Sequence, residues 1–236
     1  VGFPIVMCGI MFWFLWKEQE SHKAEMLSLK EVIQFPTSVT ASHEFQLCNL
    51  MTKANVSGCT LNGNCFKGCT ALTEVNLTNT TFTGDITGMF DGAVLLGNEG
   101  LIGWDTITFN KITTLKELFK KTLITSIDLS AIQGSQPTTL ESMFSGCKNL
   151  TTITGLDKLD TSKVTNMSSM FADCRRLSDV SFLNSLNTGE VINMAHMFKG
   201  CSNLKDASFI SSWNISKVTN MQSMFQLSGI TSLSWD

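Results

Sequence analysis

Apolar and polar positions along this chain follow a repeating phrase. Met143-Phe144-Ser145-Gly146-Cys147-Lys148-Asn149-Leu150, Met170-Phe171-Ala172-Asp173-Cys174-Arg175-Arg176-Leu177 and Met197-Phe198-Lys199-Gly200-Cys201-Ser202-Asn203-Leu204 start 27 residues apart, and Met224-Phe225 follows after another 27. A fixed period of this size marks a solenoid, in which each repeat buries its apolar face only against its neighbours. Upstream, Cys65-Phe66-Lys67-Gly68-Cys69, Met89-Phe90-Asp91-Gly92-Ala93 and Leu118-Phe119-Lys120-Lys121-Thr122 keep the pattern more loosely. Spacings from Phe66 to Phe225 are then 24, 29, 25, 27, 27 and 27, which counts about seven repeats over 63–236.

Within a repeat, Val164, Met167, Met170, Phe171 and Cys174 fall on one face of a helix, and Asp160-Thr161-Ser162 offers groups to cap its start. The period then drops to two, at Val75/Leu77, Ile127/Leu129, Val180/Phe182, Ala207/Phe209 and Leu233/Trp235, as a short strand requires. The pattern therefore predicts an α/β repeat solenoid, with one short helix and one short parallel strand per roughly 27 residues.

The N-terminus differs. Val1 to Trp16 carries no charge, and Ile5, Val6, Ile10, Phe12, Trp13, Phe14, Leu15 and Trp16 make it apolar on every face. A charged stretch follows, with Met26, Leu29 and Ile33 at helical spacing. One long helix from about Ile5 to Gln34, ending before Phe35-Pro36, is the expectation. Its apolar part spans only about 24 Å, against roughly 30 Å of bilayer hydrocarbon. Residues 1–34 thus read as an anchor helix with an amphipathic stem, buried in a membrane or in a filament core, and 35–62 as a cap before the solenoid.

The phrases around Val164-Thr165-Asn166-Met167-Ser168-Ser169-Met170-Phe171 and Ile215-Ser216-Lys217-Val218-Thr219-Asn220-Met221 resemble the BspA-like leucine-rich repeats of bacterial and some protist surface proteins. The resemblance covers roughly residues 60–236 and is most specific from 138 onward. It implies a leucine-rich-repeat solenoid displayed outside the cell and used for adhesion or protein binding. The apolar N-terminal helix also resembles a type IV pilin stem, although Ile5 stands where those chains carry a glutamate. Two functions follow as expectations: a membrane-anchored surface protein binding a protein or matrix partner, or a subunit of a surface filament or membrane complex assembled through residues 1–34.

Composition narrows the chemistry. The chain has net charge −3, no basic stripe and only three histidines, so nucleic acid is not an expected partner. No phosphate loop, nucleophile elbow or cofactor motif occurs, and no catalytic activity is expected. Cys69, Cys147, Cys174 and Cys201 share a slot that elsewhere holds Ala93, Thr122 and Ser228, so the slot wants a small buried side chain. Cys48 and Cys59 lie outside that slot and are candidates for a disulfide stapling the cap. A zinc site from Cys48, Cys59, Cys65 and Cys69 would need spacings of 11, 6 and 4, which match no common zinc pattern. Sequons occur at Asn55, Asn76, Asn79, Asn149, Asn166 and Asn214, and Asn166 recurs as Asn193 and Asn220, which gives it a structural role.

The strand positions pointing outward are Glu74, Asn76, Asp128, Asp179, Ser181, Asp206 and Ser208. Aligned along a sheet they form a ladder of carboxylates and hydroxyls, which would either receive a basic or polar partner or simply be solvated.

Overall fold

The computed structural model describes residues 31–32, 35–37 and 40–233. The chain winds into stacked coils, and two parallel ladders run along the stack. In chain order the strands are β1 (Glu31–Val32), β2 (Thr40–Ala41), β3 (Lys53–Asn55), β4 (Thr60–Leu61), β5 (Glu74–Asn76), β6 (Thr81–Asp85), β7 (Leu101–Ile102), β8 (Thr108–Thr114), β9 (Ser126–Asp128) and β10 (Thr152–Thr154). The first ladder has the order β1-β3-β5-β7, the second β2-β4-β6-β8, and β9 pairs with β10 alone. Register follows the repeat: Ala54 faces Val75, Val75 faces Leu101, and Ile127 faces Ile153. Beyond β8 the second ladder narrows to single parallel bridges, Thr139–Asn166–Asn193–Asn220.

The stack starts earlier than the sequence pattern indicates. β1 and β2 pair with β3 and β4, so much of the segment expected as a cap is wound as a coil in register with the next. Phe45 and Cys48 take the places of Phe66 and Cys69, 21 residues on, so Cys48 sits inside the recurring slot. The long helix expected over Ile5–Gln34 is corrected at its C-terminal end, where Glu31–Val32 is a strand. The residues that carried the anchor reading, Ile5, Val6, Ile10, Phe12, Trp13, Phe14, Leu15 and Trp16, lie outside the described residues. Among the described residues, no helix is long and apolar enough to cross a membrane.

The expected short helices are also absent: the described residues contain no α-helix. Alternate residues of the Met-Phe segment bond to the next coil, Leu140, Ser142, Phe144 and Gly146 donating to Asn166, Ser168, Met170 and Ala172 at 2.7–2.9 Å. The residues between them close tight turns, such as Ser145 N–H to Ser142 C=O at 3.1 Å and Cys147 N–H to Phe144 C=O at 3.0 Å. Left-handed backbone brackets each Met-Phe pair, with φ of 55° at Ser142 and 77° at Gly146, and 55° at Ser169 and 59° at Asp173. An α-helix cannot pass through two such residues within five positions. The apolar spacing that imitates a helix arises because every tight turn brings its apolar residue back inward.

The core is a column of phenylalanines. Phe45, Phe66, Phe90, Phe119, Phe144, Phe171, Phe198 and Phe225 lie one above another, with ring centroids 5.4–5.9 Å apart and planes within 14°. Offset stacking of this kind adds about 0.5–1.5 kcal/mol per pair beyond the burial of area. Beside it runs the cysteine column. Each thiol points at the carbonyl of the phenylalanine one coil back: Cys69 to Phe45 at 2.9 Å, Cys147 to Phe119 at 2.9 Å, Cys174 to Phe144 at 3.1 Å and Cys201 to Phe171 at 3.0 Å. Thr122 fills the slot by donating to its own coil's Phe119 C=O at 2.8 Å. The slot therefore favours a small side chain that can also donate a hydrogen bond.

Candidate functional site

The outward strand positions occupy one side of the stack, but they do not form a continuous ladder. Glu74 and Asn76 lie half-buried on β5, and Asp128 is exposed at the end of β9. The expected strands around Val180/Phe182 and Ala207/Phe209 are instead 3-10 turns, Ser181–Ser185 and Ser208–Ser212. The cause is local. Asp179 accepts the Ser181 N–H at 2.9 Å, and Asp206 accepts the Ser208 N–H at 2.8 Å. Such side-chain bonds to the backbone two residues on bend the chain out of the extended form. Val180 accordingly sits at φ −127°, ψ 23° and Ala207 at φ −117°, ψ 16°. Asp128 does the same to Ser130 at 2.9 Å, one step later in the coil, so there it ends a strand rather than abolishing it. Leu233 lies in no strand, and Trp235 falls outside the described residues.

Each candidate is thus held by its neighbours. Glu74 pairs with Lys53 Nζ at 3.2 Å, and Asn76 Oδ1 accepts from the Thr78 N–H at 3.1 Å. The hydroxyl and N–H of Ser130 keep the Asp128 carboxyl below the ordinary aspartate range. The N–H and hydroxyl of Ser181 do so for Asp179, as those of Ser208 do for Asp206. At neutral pH all three present fixed negative charge.

A groove opens where the strand ladder stops. It lies between β10 and the turn at Ser181–Ser185, has a volume of about 520 Å³, and joins Thr152, Ile153, Thr154 and Asp157 of one coil to Asp179 and Phe182 of the next. Of the expected face it gathers only Asp179 and Ser181, whereas Glu74, Asn76, Asp128, Asp206 and Ser208 do not line it. Phe182, whose spacing suggested a core position, is half-buried, with its ring set edge-on to Phe171 at a centroid distance of 6.0 Å. Sequence reasoning missed Thr152, Thr154, Asp157 and Phe182 as site residues. The available signal was Asp179-Val180-Ser181, a turn-forming triplet facing the β-branched run Thr152-Ile153-Thr154.

The remaining candidates resolve as structure. In place of the expected disulfide, Cys48 and Cys59 are two buried thiols, and Cys59 Sγ lies 3.5 Å from the Phe35 carbonyl. Burial pushes both thiols up to about 11. No set of three His, Cys, Asp or Glu side chains among the described residues is placed to hold a metal ion. Asn166, Asn193 and Asn220 each turn Oδ1 onto the N–H two residues ahead, at 2.9–3.0 Å, and Asn166 Nδ2 also donates to Glu141 Oε2 of the preceding coil at 3.1 Å. His196 is half-buried with left-handed backbone, φ 59°.

The sequence matches a family described as "Mycoplasma protein of unknown function, DUF285" over residues 60–180 and 138–232. It matches the "BspA type Leucine rich repeat region (6 copies)" over residues 25–91. No curated protein matches it. Among solved structures it is similar to a leucine-rich repeat protein from Bacteroides ovatus, with a TM-score of 0.55 and 16% identity over 85% of this chain and 50% of that one. A leucine-rich repeat protein from Eubacterium ventriosum is similar at a TM-score of 0.40 and 20% identity, over 87% of this chain and 45% of that one. The chain spans about half the length of these two structures. With the DUF285 match running over most of its length and the coil geometry above, the chain belongs to that family and is a BspA-type leucine-rich repeat protein.

Proposed function

We propose that this protein is a non-catalytic module of the cell surface that binds another protein through the strand side of its solenoid. The observation that carries this reading is the opening of the strand side between β10 and Ser181–Ser185, which places fixed carboxylates, hydroxyls and an aromatic ring around one groove. On the opposite side the coils close their backbone bonds from one to the next, and the cysteines are buried among apolar groups. Membership of a repeat family whose solenoids serve protein contact supports the same side as a platform. The same reading gives attachment at the surface to residues 1–34, whose first sixteen residues carry no charged side chain.

The test is a photo-crosslinking scan of the whole chain on intact cells. A crosslinking side chain is placed in turn at Asp128, Asp179 and Asp206, and at Thr165 and Gln222 beside the second ladder. Protein adducts concentrated at the three strand-side positions are expected. Adducts spread evenly over both ladders, or absent from the strand side, would overturn the proposal.

A further inference from the structure

The edge of β10 is left without its next strand. Thr152 donates back to Thr125 C=O at 3.4 Å, and Thr154 C=O accepts from Leu129 N–H at 2.8 Å, so both bond to the preceding coil. In a parallel pair, alternate residues bond to opposite sides. The N–H and C=O of Ile153 therefore face the following coil. The equivalent Val75 faces Leu101 across a strand pair. Ile153 has no such partner, because the Asp179 turn takes the next coil out of the extended form, and no bond from Ile153 to that coil is made among the described residues. The groove lies directly over this edge, and Thr151–Gly155 runs along one wall.

Edge backbone groups with no protein partner favour whatever can pair with them. At about 3.3 Å per residue the wall is long enough for four or five residues of extended chain. The flanking chemistry defines the occupant further. Two carboxylates, Asp157 and Asp179, look onto the groove, and the one ion pair there, Lys158 to Asp157 at 3.1 Å, is about half exposed on both sides. Phe182 supplies an apolar ring against which an alternate side chain can rest.

We infer that this groove takes an extended peptide segment carrying a lysine or arginine, which adds as a strand beside β10 and sets its cation against Asp157 and Asp179. Main-chain bonds at Ile153 give the affinity, and the carboxylates and Phe182 choose the side chains. The inference rests on the protein-binding reading above and names the form of its partner.

The test uses the whole chain and a fluorescent library of six-residue peptides, each with one arginine or lysine at a fixed position, followed by anisotropy. The best binder is then remade with a single N-methyl group at each position in turn. Strand addition needs N–H donors on one side of the peptide only, so methylation at alternate positions should weaken binding roughly tenfold or more, and at the others much less. Asp179→Asn keeps the bond to the Ser181 N–H and so the turn. It should weaken the basic peptide about fivefold while leaving a norleucine-substituted peptide unchanged. Uniform tolerance of N-methylation, or no binder in the library, would each overturn the inference. Crosslinks at Asp128 and Asp206 surviving such a failure would show that the solenoid still binds protein, elsewhere on the strand side.

Discussion

Replacing Phe171 by alanine tests the core directly. The ring is fully buried, stacked on Phe144 at 5.7 Å and on Phe198 at 5.6 Å, with the edge-on Phe182 ring beside it. Truncating a buried phenylalanine costs about 3–5 kcal/mol through lost transfer energy and the cavity left behind. Two stacked pairs supply roughly 1–3 kcal/mol of that. Phe225, half-buried at the last described coil, stacks among the described residues only on Phe198, at 5.6 Å. Its alanine variant should lose about half as much, roughly 2 kcal/mol. Urea unfolding of the whole chain, read with hydrogen exchange coil by coil, separates the cases, since repeat arrays need not unfold in one step. The expected result is a larger midpoint shift for Phe171→Ala, with protection lost in the coils around residues 144–198 and retained near Phe66. Equal losses for the two variants, or protection lost uniformly, would refute the picture of a column whose members answer to their nearest neighbours.

Burial lifts the thiols of Cys69, Cys147 and Cys201 to about 12. The folded state therefore favours the neutral thiol, and its stability is complete below about pH 9 and falls as pH rises toward 12, by about 1.4 kcal/mol per pH unit for each thiol; urea midpoints at pH 8, 9.5 and 10.5 should decline accordingly. These thiols should also resist alkylation at pH 8 until urea unfolds the chain, as mass spectrometry would show. At Gly155 a Cβ would stand 2.1 Å from the Ser130 N atom with φ at 75°, whereas at Gly134, φ 84°, it would meet nothing within 4 Å. Gly155→Ala should thus cost well over about 2 kcal/mol and Gly134→Ala about 1 kcal/mol, comparing thermal midpoints. Asp179→Ala should lose about 1 kcal/mol with the turn at Ser181, and Asp179→Asn almost nothing, in the same assay.

Much of this architecture was legible in the Met-Phe-x-Gly-Cys phrase, because a side chain stacked on its own counterpart must repeat in kind as well as in spacing. The glycine in that phrase was also the clue against a helix: Gly68, Gly92, Gly146 and Gly200 all hold positive φ. Lys121 and Asp173 adopt the same backbone without being glycine, which hid the rule. The first coil was missed because its 21-residue step and its Phe45-Gln46-Leu47-Cys48 depart from the later phrase. The groove was harder to read. It depends on Asp179 bonding forward to Ser181 rather than leaving its coil extended, a competition between side chain and ladder that apolar periodicity does not register. Asp179 and Ser181 were found as exposed positions, but their part in opening the stack lies in the backbone they bend.

Hydrogen exchange of the whole chain, with and without a saturating concentration of the tightest library peptide, would test the strand-side reading most directly. Slowed exchange confined to residues 151–155 and 179–185 is the expected result. Slowing along the Met-Phe turns at 139–146 and 166–173, with the groove unchanged, would contradict it.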